Sequence, residues 1–139
     1  MTVNPYDDLK IFADDLLIRR IDPKQHIIND ENLGCLRISS KAFHPSSEHN
    51  GGLSVDVKSL IDAAGIDPKL FVTNPKQIGS VAFKTGAARA VELKVGLDPE
   101  PDNPYHGQVW GKFSKPQEKA LMNAIEWFVE IPDVKITKK

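Results

Sequence analysis

Pro99, Pro101 and Pro104 fall within six residues of one another, and no other stretch limits the folding options of this chain so severely. Each proline fixes its own φ and removes a backbone donor, so residues 96–105 predict a rigid, extended loop rather than a helix or the interior of a sheet. The loop delivers His106 to a strand read over residues 108–113. Rigid loops on a scaffold position functional groups, so Asp98, Glu100, Asp102 and His106 mark the first place to look for chemistry.

The chain before this loop reads as helix, irregular segment, strand and helical insert. Asn4-Pro5 has the form of a helix start, with Asp7 and Asp8 at the positive dipole end. Leu9, Phe12, Ala13, Leu16 and Leu17 follow at helical spacing, and Arg19 and Arg20 occupy the expected last turn before Asp22-Pro23. Residues 24–52 have poor periodicity, apart from a short strand expected over residues 35–38 and a turn candidate at Asn50-Gly51. Leu53-Ser-Val-Asp-Val57 alternates strictly and predicts a half-buried strand with Ser54 and Asp56 on one face. Short helices are expected over residues 58–64 and from Asp67-Pro68, and strands over residues 78–83 and 91–95. Ser114 and Gln117 with Pro116 form a capping-box pattern, which predicts a helix reaching Val129, and Val134 and Ile136 suggest a last edge strand. The expectation is one α+β domain over residues 1–139, mainly an antiparallel sheet flanked by N- and C-terminal helices, with residues 133–139 as edge strand or tail.

Composition narrows the function classes. Eighteen basic against 19 acidic residues give a net charge of -1, which supplies no global field for nucleic acid or anionic lipid. Apolar runs are far shorter than a membrane span, no signal-peptide pattern opens the chain, and the one cysteine, Cys35, cannot form an internal disulfide. A soluble, cytoplasmic protein is expected.

No complete catalytic or cofactor motif is present. Cys35, His26, His44, His49 and His106 lack metal-site spacing, and neither nucleotide-binding glycine pattern occurs, so no metal or cofactor is implied. Arg37, Ser39, Ser40, Lys41 and His44 form a cluster of cations and hydroxyls suited to an anion, or else an ordinary turn. Ser40 or Ser54 with His106, oriented by Asp56 or Asp98, would make a nucleophile and base. Asp98, Glu100 and Asp102 alternate along the loop and would share one side, as paired carboxylates or as a solvated run. Trp110 beside Lys112 is either a recognition surface or core.

Read together, Leu17-x-Arg19-Arg20-Ile21-x-Pro23, Ser39-Ser40-x-Ala42-Phe43, Leu53-Ser54-Val55-Asp56 and Asp98-Pro99-x-Pro101-x-Asn103-Pro104-x-His106-x-x-Val109-x-Gly111 resemble a group of small uncharacterised bacterial proteins. The resemblance implies no activity. It draws attention to Arg19, Arg20, Ser39, Ser40, Ser54, Asp56 and His106, which packing alone does not require.

Two functional expectations follow, beside a purely structural role for the loop. One is a binding or accessory domain for a small anionic ligand or a protein partner, with Arg37, Ser39, Ser40, Lys41, His44 and His106 converging on one hollow. The other is a hydrolase or group transferase with His106 as general base and Ser40, Ser54 and Asp56 as its partners. No membrane partner is expected, and nothing in the sequence fixes the oligomeric state.

Overall fold

The computed structural model describes residues 4–45, 52–73 and 79–137. Its centre is a six-stranded antiparallel sheet built from β1 (Leu16–Arg20), β4 (Leu53–Val57), β5 (Ser80–Lys84), β6 (Lys94–Leu97), β7 (His106–Trp110) and β8 (Glu126–Val129), in the order β6-β7-β4-β1-β5-β8. A smaller sheet joins β2 (Ile27–Asp30), β3 (Cys35–Ile38) and β9 (Val134–Lys135), with β9 parallel to β3. The helices are α1 (Pro23–His26), α2 (Lys58–Ala63), α3 (Pro68–Thr73), α4 (Thr85–Arg89) and α5 (Lys115–Ala124), with a 3-10 turn at Ser40–Phe43. The α+β architecture expected from the sequence is present. The turn candidate at Asn50-Gly51 and His49 lie outside the described residues.

Strand alternation divides the large sheet into two faces. Leu17, Val55, Val57, Val81, Phe83, Val95 and Val109 point to one side and form a continuous core with Phe43, Leu121, Met122 and Ile125. Helices α4 and α5 and the 3-10 turn cover that side, with Phe43 and Phe83 meeting edge to face, ring centroids 6.3 Å apart. The small sheet joins the same core through Ile38 and Val134. On the opposite face Ile18 and Ala82 pack beneath Ile61 of α2 and Val72 of α3. Helices α2 and α3 cover one half of this second face, and Ser54, Asp56, His106, Gln108 and Trp110 occupy the half nearer β7.

The expected N-terminal helix does not form. Leu16, Leu17, Ile18, Arg19 and Arg20 are instead the β1 strand, paired with β4 on one side and β5 on the other. Leu17 and Ile18 are adjacent yet both fully buried, which a strand covered on both faces requires and a one-faced helix does not. The preceding residues form an extended strap along β6. Asp8 donates its backbone N–H to Val95 O at 2.8 Å, the Asp7 carboxylate accepts from Val95 N at 3.1 Å, and Tyr6 Oη both accepts from Leu97 N and donates to Leu97 O. The strap satisfies the edge that β6 would otherwise expose to another chain.

At the other end the capping box is present: Ser114 Oγ accepts from Gln117 N and Gln117 Oε1 accepts from Ser114 N. The helix stops at Ala124 rather than Val129, because Ile125 is already extended and Glu126, Trp127 and Val129 pair with β5, with a register shift that leaves Phe128 unopposed. Aromatic and β-branched residues beside an unpaired strand favour the sheet over further helical turns. Thr85–Arg89 form the short helix α4, and the final strand appears as β9.

Phe83 is 1% exposed at the centre of the core face, so Phe83→Ala should lower the unfolding free energy in urea by about 3–5 kcal/mol with little change in slope.

Candidate functional site

The proline loop is held at both ends and across its middle. Asp98 N–H donates to His106 O and Val57 N–H to Tyr105 O, while Glu100 and Asn103 exchange two backbone hydrogen bonds at 2.9 and 3.0 Å. Asn103 Oδ1 accepts from Tyr105 N at 3.1 Å, which directs the asparagine amide nitrogen to the sheet. There it donates to Asp56 Oδ1 at 2.6 Å, and the other carboxylate oxygen of Asp56 accepts from Arg20 Nε at 3.0 Å. Arg20 in turn lies over the Phe71 ring, 5.5 Å from its centroid, and Phe71 meets Tyr105 edge on at 5.3 Å. A closed circuit therefore runs from β1 through β4 and the loop to α3.

Between loop and helix lies a hollow of about 650 Å3. Strand residues Ile18, Ser54, Asp56 and His106 contribute its base, Glu100, Asp102 and Asn103 one wall, and Ile66, Leu70 and Phe71 the other. Leu70 is 60% exposed and Ile66 37%, so the second wall presents apolar surface to solvent. The first wall is carboxylate-rich: Asp56 is neutralised by Arg20, but Glu100 and Asp102 add two further negative charges.

His106 is nearly buried, and its Nδ1 lies 2.8 Å from Asp98 O. A carbonyl can only accept, so the ring proton resides on Nδ1 in the neutral imidazole. Nε2 lies 3.4 Å from Glu100 Oε1, an ion pair when the ring is protonated. Ser54 stands on the same face one diagonal step away, since Asp56 is opposite His106 and Ser54 opposite Gln108. Such diagonal neighbours are about 7–8 Å apart along the backbone, a gap that an aromatic side chain can span. Among the described residues, however, no hydrogen bond joins Ser54 to His106. Asp56 is committed to Arg20 and Asn103, so the imidazole is oriented by the Asp98 carbonyl instead.

The other expected site residues lie elsewhere. Ser39 caps the 3-10 turn by accepting from Lys41 N, and Ser40 is the first residue of that turn. The turn packs on the core face, against α5, whereas His106 projects from the opposite face, so the sheet separates the two segments. The single hollow expected to join Ser39 and Ser40 to His106 is therefore not formed. Arg37 Nε pairs with Asp30 Oδ2 at 2.7 Å across β2 and β3, which holds the Asp30 carboxyl below its ordinary range. Asp98 turns away from Glu100 and Asp102 and accepts from Gln108 Nε2 at 3.1 Å. Trp110 is buried and packs on Tyr6, while Lys112 is exposed.

Lys41 and His44 line a second hollow of about 400 Å3 with Lys24, Gln25 and His26. His26 Nδ1 accepts from Asp22 N at 3.0 Å. Burial, reinforced by the positive charge of Arg19, lowers its pKa to about 4. Arg19 itself is pulled down to about 10 by burial, and donates to Ala42 O and Ser54 O at 2.9 and 3.0 Å. Among the described residues no group of three or more His, Cys, Asp or Glu side chains could hold a metal ion.

Sequence reasoning singled out Arg20 without its pairing to Asp56, and missed Asn103 and the apolar wall of Ile66, Leu70 and Phe71. Reading residues 16–20 as a strand would have put Arg20 on the face of Ile18, opposite Leu17 and Arg19. No family model, curated protein or solved structure compared with the chain matches it.

Arg20→Ala should lower stability by about 2 kcal/mol, less than the roughly 3–5 kcal/mol of a fully buried pair because a third of the Arg20 side chain meets solvent. In a double-mutant cycle with Asp56→Ala, the combined loss should fall short of the sum. His26 supplies a separate, pH-dependent test. Its depressed pKa means the unfolded chain binds the proton more readily, so stability is lost as pH falls from about 6.5 towards 4. Denaturant titrations of His26→Asn over that window should show a shallower decline than the parent chain.

Proposed function

We propose that the chain is a small ligand-binding domain and that the hollow beside His106 is its binding site. The observation that carries this reading is the pairing of an exposed apolar wall, Ile66, Leu70 and Phe71, with a polar wall fixed by the Asp56–Arg20–Asn103 circuit. A volume of about 650 Å3 suits a small organic molecule, and few polar groups converging on an apolar cleft are the usual form of such sites. Among the lining residues Arg19 and Arg20 are set against three carboxylates, Asp56, Glu100 and Asp102, so the fitting ligand has an apolar body and a hydrogen-bond-donating or cationic head. The apolar body rests on Leu70 and Phe71, and the head meets Glu100, Asp102 and Asn103.

A second reading draws on the His106 tautomer. With the proton held on Nδ1, Nε2 is the basic nitrogen, and a water bridging it to Ser54 would give a hydrolase or group transferase. The binding reading is preferred because, among the described residues, no hydrogen bond joins Ser54 to His106, and Asp56 is already paired with Arg20 and Asn103. The reading of a soluble, cytoplasmic protein rests on the single cysteine and on the absence, among the described residues, of any helix long and apolar enough to cross a membrane.

The test is NMR titration with phenethylamine and 3-phenylpropionate. Saturable shifts at Phe71, Asn103 and His106, stronger for the amine and weakened at least fivefold by Leu70→Ser, are expected. Shifts that are absent, or that favour other surfaces, would overturn the assignment. Turnover of a p-nitrophenyl ester lost in both His106→Gln and Ser54→Ala would instead favour the enzymatic reading.

A further inference from the structure

The hollow at Lys24, Gln25, His26, Lys41 and His44 lies apart from the His106 site and presents an unusual set of groups. It is formed where α1 meets the 3-10 turn, a junction fixed by the hydrogen bond from Ser39 N to His26 O at 2.8 Å. The Asp22 backbone N–H points at His26 Nδ1, so that nitrogen is unprotonated and the ring hydrogen must sit on Nε2. His26 is itself only 9% exposed, yet among the described residues no acceptor takes this second N–H. The ring stays neutral through the physiological range, so the donor is present without a buried charge.

Lys24 and Lys41 flank this donor, and neither ammonium has an ion-pair partner among the described residues. Two carboxylates stand nearby. Glu118 is matched by His44, 3.1 Å away, when that imidazole is protonated, and Asp22 accepts from Lys24 N at 3.0 Å. Arg19, close enough to depress the His26 proton affinity, adds a further positive charge behind the ring. The balance is cationic, and the one rigid, buried group is a donor with its lone pair already used.

We infer that this hollow binds a phosphate group, held by His26 Nε2–H and by the ammonium groups of Lys24 and Lys41. A tetrahedral oxyanion has enough acceptors to satisfy three donors arriving from two chain segments, and charge-assisted hydrogen bonds of this kind are the strong ones. The site recovers the anion-binding role expected of Lys41 and His44 without Arg37, Ser39, Ser40 or His106. It does not depend on the ligand proposed for the other face.

The test follows the His26 ring and Lys41 resonances of the full chain by NMR at neutral pH and constant ionic strength. Inorganic phosphate and glycerol 3-phosphate are titrated in turn, with chloride as the control. Saturable shifts of the His26 ring with either phosphate, weakened about tenfold by Lys41→Gln and unaffected by Leu70→Ser, would support the site. Tighter binding of the inorganic ion identifies free phosphate as the ligand, and tighter binding of the ester identifies a phosphorylated metabolite. Shifts that do not saturate, that chloride reproduces, or that survive Lys41→Gln unchanged would overturn it.

Discussion

The Asp56 carboxylate is the joint on which the functional face depends. It is almost wholly buried, yet each oxygen has a partner from a different part of the chain: Arg20 from β1 and Asn103 from the proline loop. A buried carboxylate left with one partner would be costly, so the sheet, the loop and the α3 wall stand in a fixed relation. The prolines make this economical by limiting the loop before folding, and the paired backbone bonds of Glu100 and Asn103 complete the restraint. What results is an open cleft with unlike walls rather than a polar patch.

Strand alternation then decides what can share a site. Because His106 and Asp56 stand opposite each other on adjacent strands, every second residue along β4 and β7 joins the same face. Lys41 and the serines beside it belong to the other side of the sheet, where Arg19 reaches the 3-10 turn through Ala42 O. Adjacent arginines therefore serve opposite faces: Arg20 organises the cleft, and Arg19 supports the core-side turn and the His26 hollow.

Much of this was legible in the sequence where local chemistry determines structure. The alternating residues of β4, the four residues of β3, the capping box of α5 and the stiffness of the proline loop followed from their own residues. The N-terminal segment misled because Leu9, Phe12, Leu16 and Leu17 satisfy helical spacing, while the deciding fact is tertiary: β1 is covered on both faces, and the strap before it donates to β6. The extent of α5 was lost for a similar reason, since only the waiting edge of β5 makes residues 126–129 a strand. Within the cleft, Ser54, Asp56 and His106 could be nominated by residue type and face. Asn103 and Phe71 could not, because their roles arise from long-range contacts with Asp56 and Arg20.

Amide hydrogen exchange in Asp56→Ala tests this dependence most directly. Loss of the carboxylate should speed exchange at Asn103 and Tyr105 relative to Leu17 and Phe83 in the core strands. Unchanged protection of the loop amides relative to those strands would contradict the account, and the wall of the cleft would have to be explained by the prolines alone.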